Sequence, residues 1–454
     1  MHIIKRNQDT KNILICFTMI IFLFAIFSCT KPKPAGNQSK EVNKDTIDKN
    51  PTVKEKSIID TSPENHFYKI PYQKIEDSPN RAWNPIWQYS GQNGGSIGSS
   101  SIMINTRNLL LLTDPLVDFD EFQKVVPPDK YFEEIIALNP NNKEVIWKYR
   151  INEITSSQIL VQGENLYIST SMGPNGKFSK FFLICLNKNT GKENWKCPIN
   201  GVTETNLIFS NNYLYFGTQG YNGNFIVCVD TSNGKIVYQS HVPNIHFDYN
   251  INFICIGDTL YYSTPETPNI YGFNTASQLS FLVWKPNNTN EIEYMTRLTY
   301  VDPCLLFEGT KGNSSTLYAI NLKENKMDWK INFDTNNINY PSEPEYDDKN
   351  IYFSSNRFLA SIDRETRKLN WFFCVENQDI HELTLDKDKI YLTIEIPPYE
   401  ARDTSHFKER YLLALDEKTG KILWKMQKGV YLNRIFQDKL LVNEKKNLYM
   451  IDPN

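Results

Sequence analysis

Residues 414–425 read ALDEKTGKILWK. A small residue leads, then an aliphatic, an Asp, a polar turn with a Gly, and a Trp eight positions after the Asp. The order recurs. IIALNPNNKEVIWKY sets Asn139 before Trp147, LICLNKNTGKENWKC sets Asn187 before Trp195, and IVCVDTSNGKIVYQS sets Asp230 before Tyr238. LYAINLKENKMDWKI sets Asn321 before Trp329, and LASIDRETRKLNWFF sets Asp363 before Trp371. YGFNTASQLSFLVWK, with Asn274 and Trp284, is the same unit stretched by two residues. Each unit reads as a β-hairpin. A strand ends at Asp or Asn, whose side chain bonds backbone N–H groups in the turn, and a second strand carries the aromatic. Gly191, Gly234 and Gly420 supply a positive φ where a Cβ would be penalised.

A second series interleaves with the first: NLLLLT (108–113), NLYIST (165–170), YLYFGT (213–218), TLYYST (259–264), CLLFEG (304–309), NIYFSS (350–355), KIYLTI (389–394) and KLLVNE (439–444). The last precedes LYMIDPN, where the sequence stops at a turn with no Trp after it. RAWNPIWQYS offers the missing strand at the other end, with Trp87. Aromatics then stand at 87, 147, 195, 238, 284, 329, 371 and 424. Repeats of about four short strands at this spacing mean a β-propeller. The expectation is all-β: an eight-bladed propeller whose N- and C-terminal strands close one blade, which removes two sheet edges.

The 454 residues are 40% hydrophobic and 13% aromatic, a strand-favouring composition. The formal net charge is −3, which gives no electrostatic grip on nucleic acid. Residues 1–12 carry Lys5, Arg6 and Lys11, and ILICFTMIIFLFAIFS (13–28) is an apolar run of signal-peptide length ending at Cys29. Ile26, Ser28 and Cys29 resemble the lipobox of bacterial lipoproteins. That resemblance implies cleavage before Cys29 and acyl chains on it, hence partition into a lipid bilayer. Residues 29–75 then read as the lipidated Cys and a polar tether too poor in apolar residues to offset ordering entropy, and 76–454 as the propeller.

The motif A-x-D-x-x-T-G-K-x-x-W resembles the repeat of pyrroloquinoline-quinone-type propellers, whose Trp docks between blades. A lipid-anchored eight-bladed propeller without extra domains resembles the BamB family of outer-membrane lipoproteins. The resemblance implies a rigid ring that grips a partner, the β-barrel assembly machinery, at the periplasmic face of the outer membrane. Its reading is a non-catalytic scaffold. Two alternatives stand beside it: a propeller that binds a small molecule or glycan, and a quinoprotein-type oxidoreductase. The last needs a metal held by carboxylate and amide oxygens beside the quinone, and a catalytic Asp. Here the Asp and Asn residues sit mostly in turn slots, and the adjacent-cysteine pair common in those enzymes is missing. No catalytic, cofactor or metal residue is assigned.

Six cysteines follow Cys29, at 185, 197, 228, 255, 304 and 374, without C-x-x-C spacing. Cys185 and Cys228 hold the small slot of the repeat, and Cys185 and Cys197 flank one hairpin, where they face each other as either a thiol pair or a strained disulfide. His241 and His246 are too far apart on a strand to share a metal. Three connections exceed what turns require: 114–134, 171–180 and 395–409. Exposed aromatics among charges suit protein contact, so Phe119, Phe122, Tyr131 and Tyr399 are the candidate contact residues.

Overall fold

The computed structural model describes residues 54–55, 65–69, 75, 78–90, 110–115, 133–151, 154–172, 181–220, 223–242, 251–264, 268–288, 291–312, 314–334, 343–355, 358–375, 379–396, 409–444 and 447–453. The hairpin turns form for the expected reason. The Asp416 carboxylate accepts from the Thr419 N–H at 2.9 Å, and the Asn187 amide oxygen from the N–H groups of Asn189 and Thr190 at 3.1 and 3.0 Å. Four positions after the Asp or Asn the backbone turns left-handed. Gly191, Gly234 and Gly420 stand there, and so do Lys143, Gln278, Asn325 and Arg367. The register also explains the small residue of the repeat. Ala137, Cys185, Cys228, Ala319, Ser361 and Ala414 lie directly opposite Trp147, Trp195, Tyr238, Trp329, Trp371 and Trp424.

The strands assemble into sheets that we label A to H. Sheet A holds Leu110–Pro115, Glu133–Leu138 and Val145–Ile151. Sheet B holds Ile154–Gln162, Asn165–Met172, Phe181–Asn187 and Glu193–Ile199. Sheet C runs from Val202–Thr203 and Ile208–Ser210 through Tyr213–Gly220 and Gly223–Asp230 to Ile236–His241. Sheet D has Ile254–Ile256, Thr259–Thr264, Asn269–Asn274 and Leu279–Trp284. Sheet E has Tyr294–Met295 and Thr299–Val301, then Cys304–Lys311, Ser314–Asn321 and Lys326–Asp334. Sheet F has Glu345–Tyr346, Asn350–Ser355, Phe358–Asp363 and Leu369–Cys374, and sheet G has Asp379–Asp386, Lys389–Ile396, Glu409–Asp416 and Ile422–Gln427. Sheet H orders Tyr431–Phe436, Lys439–Glu444 and Asn447–Ile451, then Pro85–Ser90 from the other end of the chain, with Trp87 opposite Met450.

This is an all-β propeller. The expected count of eight blades is corrected: among the described residues seven sheets, B to H, reach the four strands of a blade, and sheet A has three. Residues 91–109, directly ahead of Leu110, lie outside the described residues.

Each apolar cluster draws on two neighbouring sheets. Trp147 packs with Leu166 and Ile184, between A and B, and Trp371 packs with Ile390 and Leu413, between F and G. Trp87, Met450, Ile136 and Leu138 share a cluster between H and A. The aromatics dock as the resemblance implied. Trp147, Trp195 and Trp371 donate their indole N–H to the carbonyls of Lys188, Thr231 and Glu417 at 2.9, 2.9 and 2.8 Å, and the Tyr238 hydroxyl reaches the Thr275 carbonyl at 3.1 Å. Every acceptor is the residue just after the turn Asp or Asn of the next sheet. The stretched unit of sheet D departs from the scheme. Its small residue is Gly272, and Phe281, not Trp284, lies opposite it. Trp284 falls further along, opposite Ile270, and its buried indole N–H finds no hydrogen-bond partner. The two extra residues slide the Trp past the slot, and the absent Cβ at 272 lets Phe281 fill it.

The first strands are joined by side chains. The Asn206 amide in sheet C pairs with both backbone groups of Phe253 in sheet D, at 2.6 and 3.1 Å. Asn252 does the same with Leu298 in sheet E, at 2.9 and 2.8 Å. An amide imitates a neighbouring strand here, so backbone groups on the inner rim stay satisfied.

The described residues between 54 and 90 meet the outer strands in sheet order. Lys54–Glu55 pairs in parallel with Leu279–Trp284, and Asn65–Lys69 with Lys326–Asp334. Ile75, 4% exposed, enters the cluster between F and G, and its carbonyl accepts from the Lys425 ammonium at 2.8 Å. Asn80 bridges Lys425 in parallel before Pro85–Ser90 completes sheet H. The described parts of the segment read from composition as a tether are thus paired or buried.

Candidate partner-binding face

Propeller strands alternate in direction, so all connections from second to third strand leave on one face. Sheets A, B and G place the long insertions there. The pairs Pro115–Glu133, Ser169–Leu183 and Ile396–Glu409 each stand at the base of the connection that precedes the Asp or Asn turn, in sheets A, B and G. The opposite face carries the tight Asp or Asn turns. Phe119, Phe122, Tyr131 and Tyr399, like Cys29, lie outside the described residues.

A polar cluster sits at the root of the sheet G insertion. Glu395 and Arg410 are register partners, 7% and 8% exposed, and the guanidinium donates to the Glu395 carboxylate at 3.0 Å. It also donates to the Tyr431 hydroxyl at 2.5 Å and lies 3.5 Å from that ring's centroid. His381 Nε2 stands 3.3 Å from the other Glu395 oxygen. A bulge between His381 and Leu383 forces Glu382 to a φ of 26°. Its Oε2 is buried without a hydrogen-bond partner. Burial pushes the Glu382 carboxyl up to about 7, with Glu395 adding to the rise, while Arg410 and a Thr393 hydrogen bond oppose it. A buried ion pair capped by an aromatic ring holds two strands rigid where the insertion leaves, and Glu382 takes up a proton near neutral pH. The sequence signal was an acid and a base flanking an insertion, Glu395 and Arg410, and the turn-based reading passed over it.

A cleft between sheets E and F, lined by Asp302, Cys304, Asp328, Arg364 and Arg367, is the other concentration of charge. Its charges are matched: Arg367 meets Asp328 at 2.9 Å, Lys323 meets Asp302 at 3.0 Å, and Arg364 donates to the Asp347 carbonyl at 2.5 Å. Burial, then Asp328, pushes the Cys304 thiol up to about 12, the opposite of what a nucleophile needs. The six cysteines from Cys185 to Cys374 are free thiols. Cys185 faces Trp195 and Cys197 faces Leu183, so the two are not register partners. His241 lies 5.4 Å from the Phe225 ring, and His246 is outside the described residues. Among the described residues no group of three or more His, Cys, Asp or Glu is placed to hold a metal ion, and no helix is long and apolar enough to cross a membrane.

The sequence matches the family model described as outer membrane protein assembly factor BamB over residues 132–426. No curated protein matches it. Among solved structures, BamB from Moraxella catarrhalis aligns with a TM-score of 0.51 and 13% identity, over 81% of this chain and 98% of that one. The computationally designed Ika8 protein aligns at 0.56 and 10%, over 80% and 97%. The quinohemoprotein alcohol dehydrogenase ADHIIG from Pseudomonas putida HK5 aligns at 0.53 and 9%, over 84% and 78%. At such identities the structural likeness is one of fold. The family match spans well over half the chain: this protein belongs to the family of the outer membrane protein assembly factor BamB.

Proposed function

We propose that this chain is a non-catalytic scaffold of the bacterial envelope, anchored by lipid on Cys29, which binds a protein partner through the face that carries its long connections. In this reading Pro85–Ser90 closes the ring against Asn447–Ile451. The partner is the β-barrel assembly machinery, at the periplasmic side of the outer membrane. The observation that carries the reading is the placement of all three long insertions on one face of a propeller of this family. The turn Asp and Asn side chains are spent on turn hydrogen bonds, which supports a structural rather than a catalytic use of them.

The test is co-purification of the full, lipidated chain from envelopes after mild cross-linking. The barrel-assembly machine is recovered with the native chain, and recovery falls at least tenfold when Phe119, Phe122, Tyr131 and Tyr399 are all changed to Ala. Unchanged recovery by that variant refutes the loop face as the contact. A calcium-dependent dehydrogenase activity on addition of pyrroloquinoline quinone would instead make the protein an enzyme.

A further inference from the structure

Each cation of the cleft between sheets E and F has a partner, but the partners differ in kind. Arg367 meets the Asp328 carboxylate at 2.9 Å, and Lys323 meets Asp302 at 3.0 Å. The Tyr300 hydroxyl also donates to Asp302, at 2.7 Å. Arg364 donates only to a neutral acceptor, the Asp347 carbonyl, and lies 5.6 Å from the centroid of the Tyr346 ring. Among the described residues no carboxylate comes within hydrogen-bond distance of it. With Lys323 counted, three cations at the cleft stand against two carboxylates, Asp302 and Asp328.

The turn of sheet F explains why there is space. Where Gly191, Gly234 and Gly420 hold the left-handed turn position, the Trp of the preceding sheet packs so closely that an added Cβ would lie 2.6, 2.6 and 2.4 Å from its ring. Sheet F has Arg367 there instead, at a φ of 60° and with its N–H on the Asp363 carbonyl at 2.8 Å. Its Cβ bars Trp329 from that seat. Among the described residues Trp329 makes no hydrogen bond of the kind that Trp147, Trp195 and Trp371 make to the next sheet. It lines the cleft instead, with Val301 and Ile351. The cleft has about 80 Å³ of open space. A single water needs about 10–15 Å³, so one small group fits.

We infer that this cleft binds one carboxylate group, which pairs with Arg364 and lays a short aliphatic stem against Trp329 and Ile351. The planar guanidinium matches the two oxygens of a carboxylate. Asp302 and Asp328 limit the charge: with one cation in excess, a monoanion is neutralised and a phosphate dianion is repelled. The apolar wall calls for a carbon stem rather than a bare ion. The cleft lies among turn residues, on the face opposite the long connections, and stands whether or not those connections hold the scaffold contact.

The test is calorimetric titration of the full chain with 3-methylbutanoate, with the tripeptide acetyl-Ala-Ala-Leu as free acid and as C-terminal amide, and with inorganic phosphate. At least one of the two acids binds, and the amide and phosphate bind at least tenfold more weakly than it does. Tighter binding of the tripeptide acid assigns the carboxylate to a chain terminus, and equal or tighter binding of 3-methylbutanoate assigns it to a small free acid. Arg364→Gln weakens acid binding at least tenfold while the chain keeps its folded circular-dichroism spectrum. Asp302→Asn, which removes a neighbouring anion, tightens it at least threefold. No binding of either acid, binding of the amide or phosphate as tight as that of the acid, unchanged binding by Arg364→Gln, or weaker binding by Asp302→Asn overturns the inference.

Discussion

Gly420 shows what one hydrogen atom in place of a side chain does for the interface between sheets. Its φ is 65°, and an added Cβ would lie 2.4 Å from the Trp371 ring, which donates its indole N–H to Glu417 three residues earlier. Gly420→Ala therefore meets two costs, a left-handed Cβ and an overpacked indole, together about 2–4 kcal/mol. Urea denaturation measures it, and quenched or shifted Trp fluorescence should accompany it. Glu382 is a residue whose charge matters to stability. Its folded pKa of about 7 is raised above the ordinary 4.5, so its contribution is fully present below about pH 4.5 and is lost as pH rises through 7. Glu382→Gln should match the native protein at pH 4.5 and exceed it above pH 7, by at most about 3 kcal/mol. Equal pH profiles for the two proteins would rule out a buried, titrating carboxyl. The turn glycines were legible because their chemistry is local. Glu382 was not, because its shift comes from burial and from Glu395, against the opposing pull of Arg410, and only the folded strands bring these together.

At the scale of elements, the second, third and fourth strands of each sheet were readable from alternation and turn residues. The first strands were not. ETNLIFS (204–210) and NINFICI (250–256) mix amides with apolar residues because Asn206 and Asn252 bond the next sheet's backbone, a use no periodicity reveals. The N-terminal segment escaped for a related reason. It is polar on average, and single residues such as Ile75 and the backbone of 65–69 do its binding. Average composition dilutes such anchors. Ile75→Ala removes a side chain buried against Trp371 and Phe373 and should cost about 2–4 kcal/mol, as a core position would. A change under about 0.5 kcal/mol, the range of an exposed site, in the denaturation midpoint at constant m would mean that the segment is only loosely laid on the rim.

For the whole molecule, the repeat made the propeller legible, because hairpin signals add up over many units, and the blade count hung on the ends, where single strands must be matched across the chain. Asn447–Ile451 lies between Lys439–Glu444 and Pro85–Ser90, so it holds two ladders at once. Leu448 and Met450 belong to the cluster shared with sheet A, and Tyr449 and Ile451 to the one shared with sheet G. Arg81 adds hydrogen bonds to the carbonyls of Asp452 and Pro453 at 2.8 and 3.2 Å. Removing residues 445–454 therefore strips the outer strand of its partner and opens two intersheet clusters together. Fully burying each large apolar side chain contributes about 1.5–3 kcal/mol, so losing four is comparable with the roughly 5–15 kcal/mol net stability of a folded domain. The truncated chain should lose its single cooperative transition, with a lower m-value and early exposure of Trp87 to a fluorescence quencher. If instead it unfolds in one transition within about 1 kcal/mol of the full chain, the pairing of the two ends contributes little and the sheets cohere through their neighbours alone.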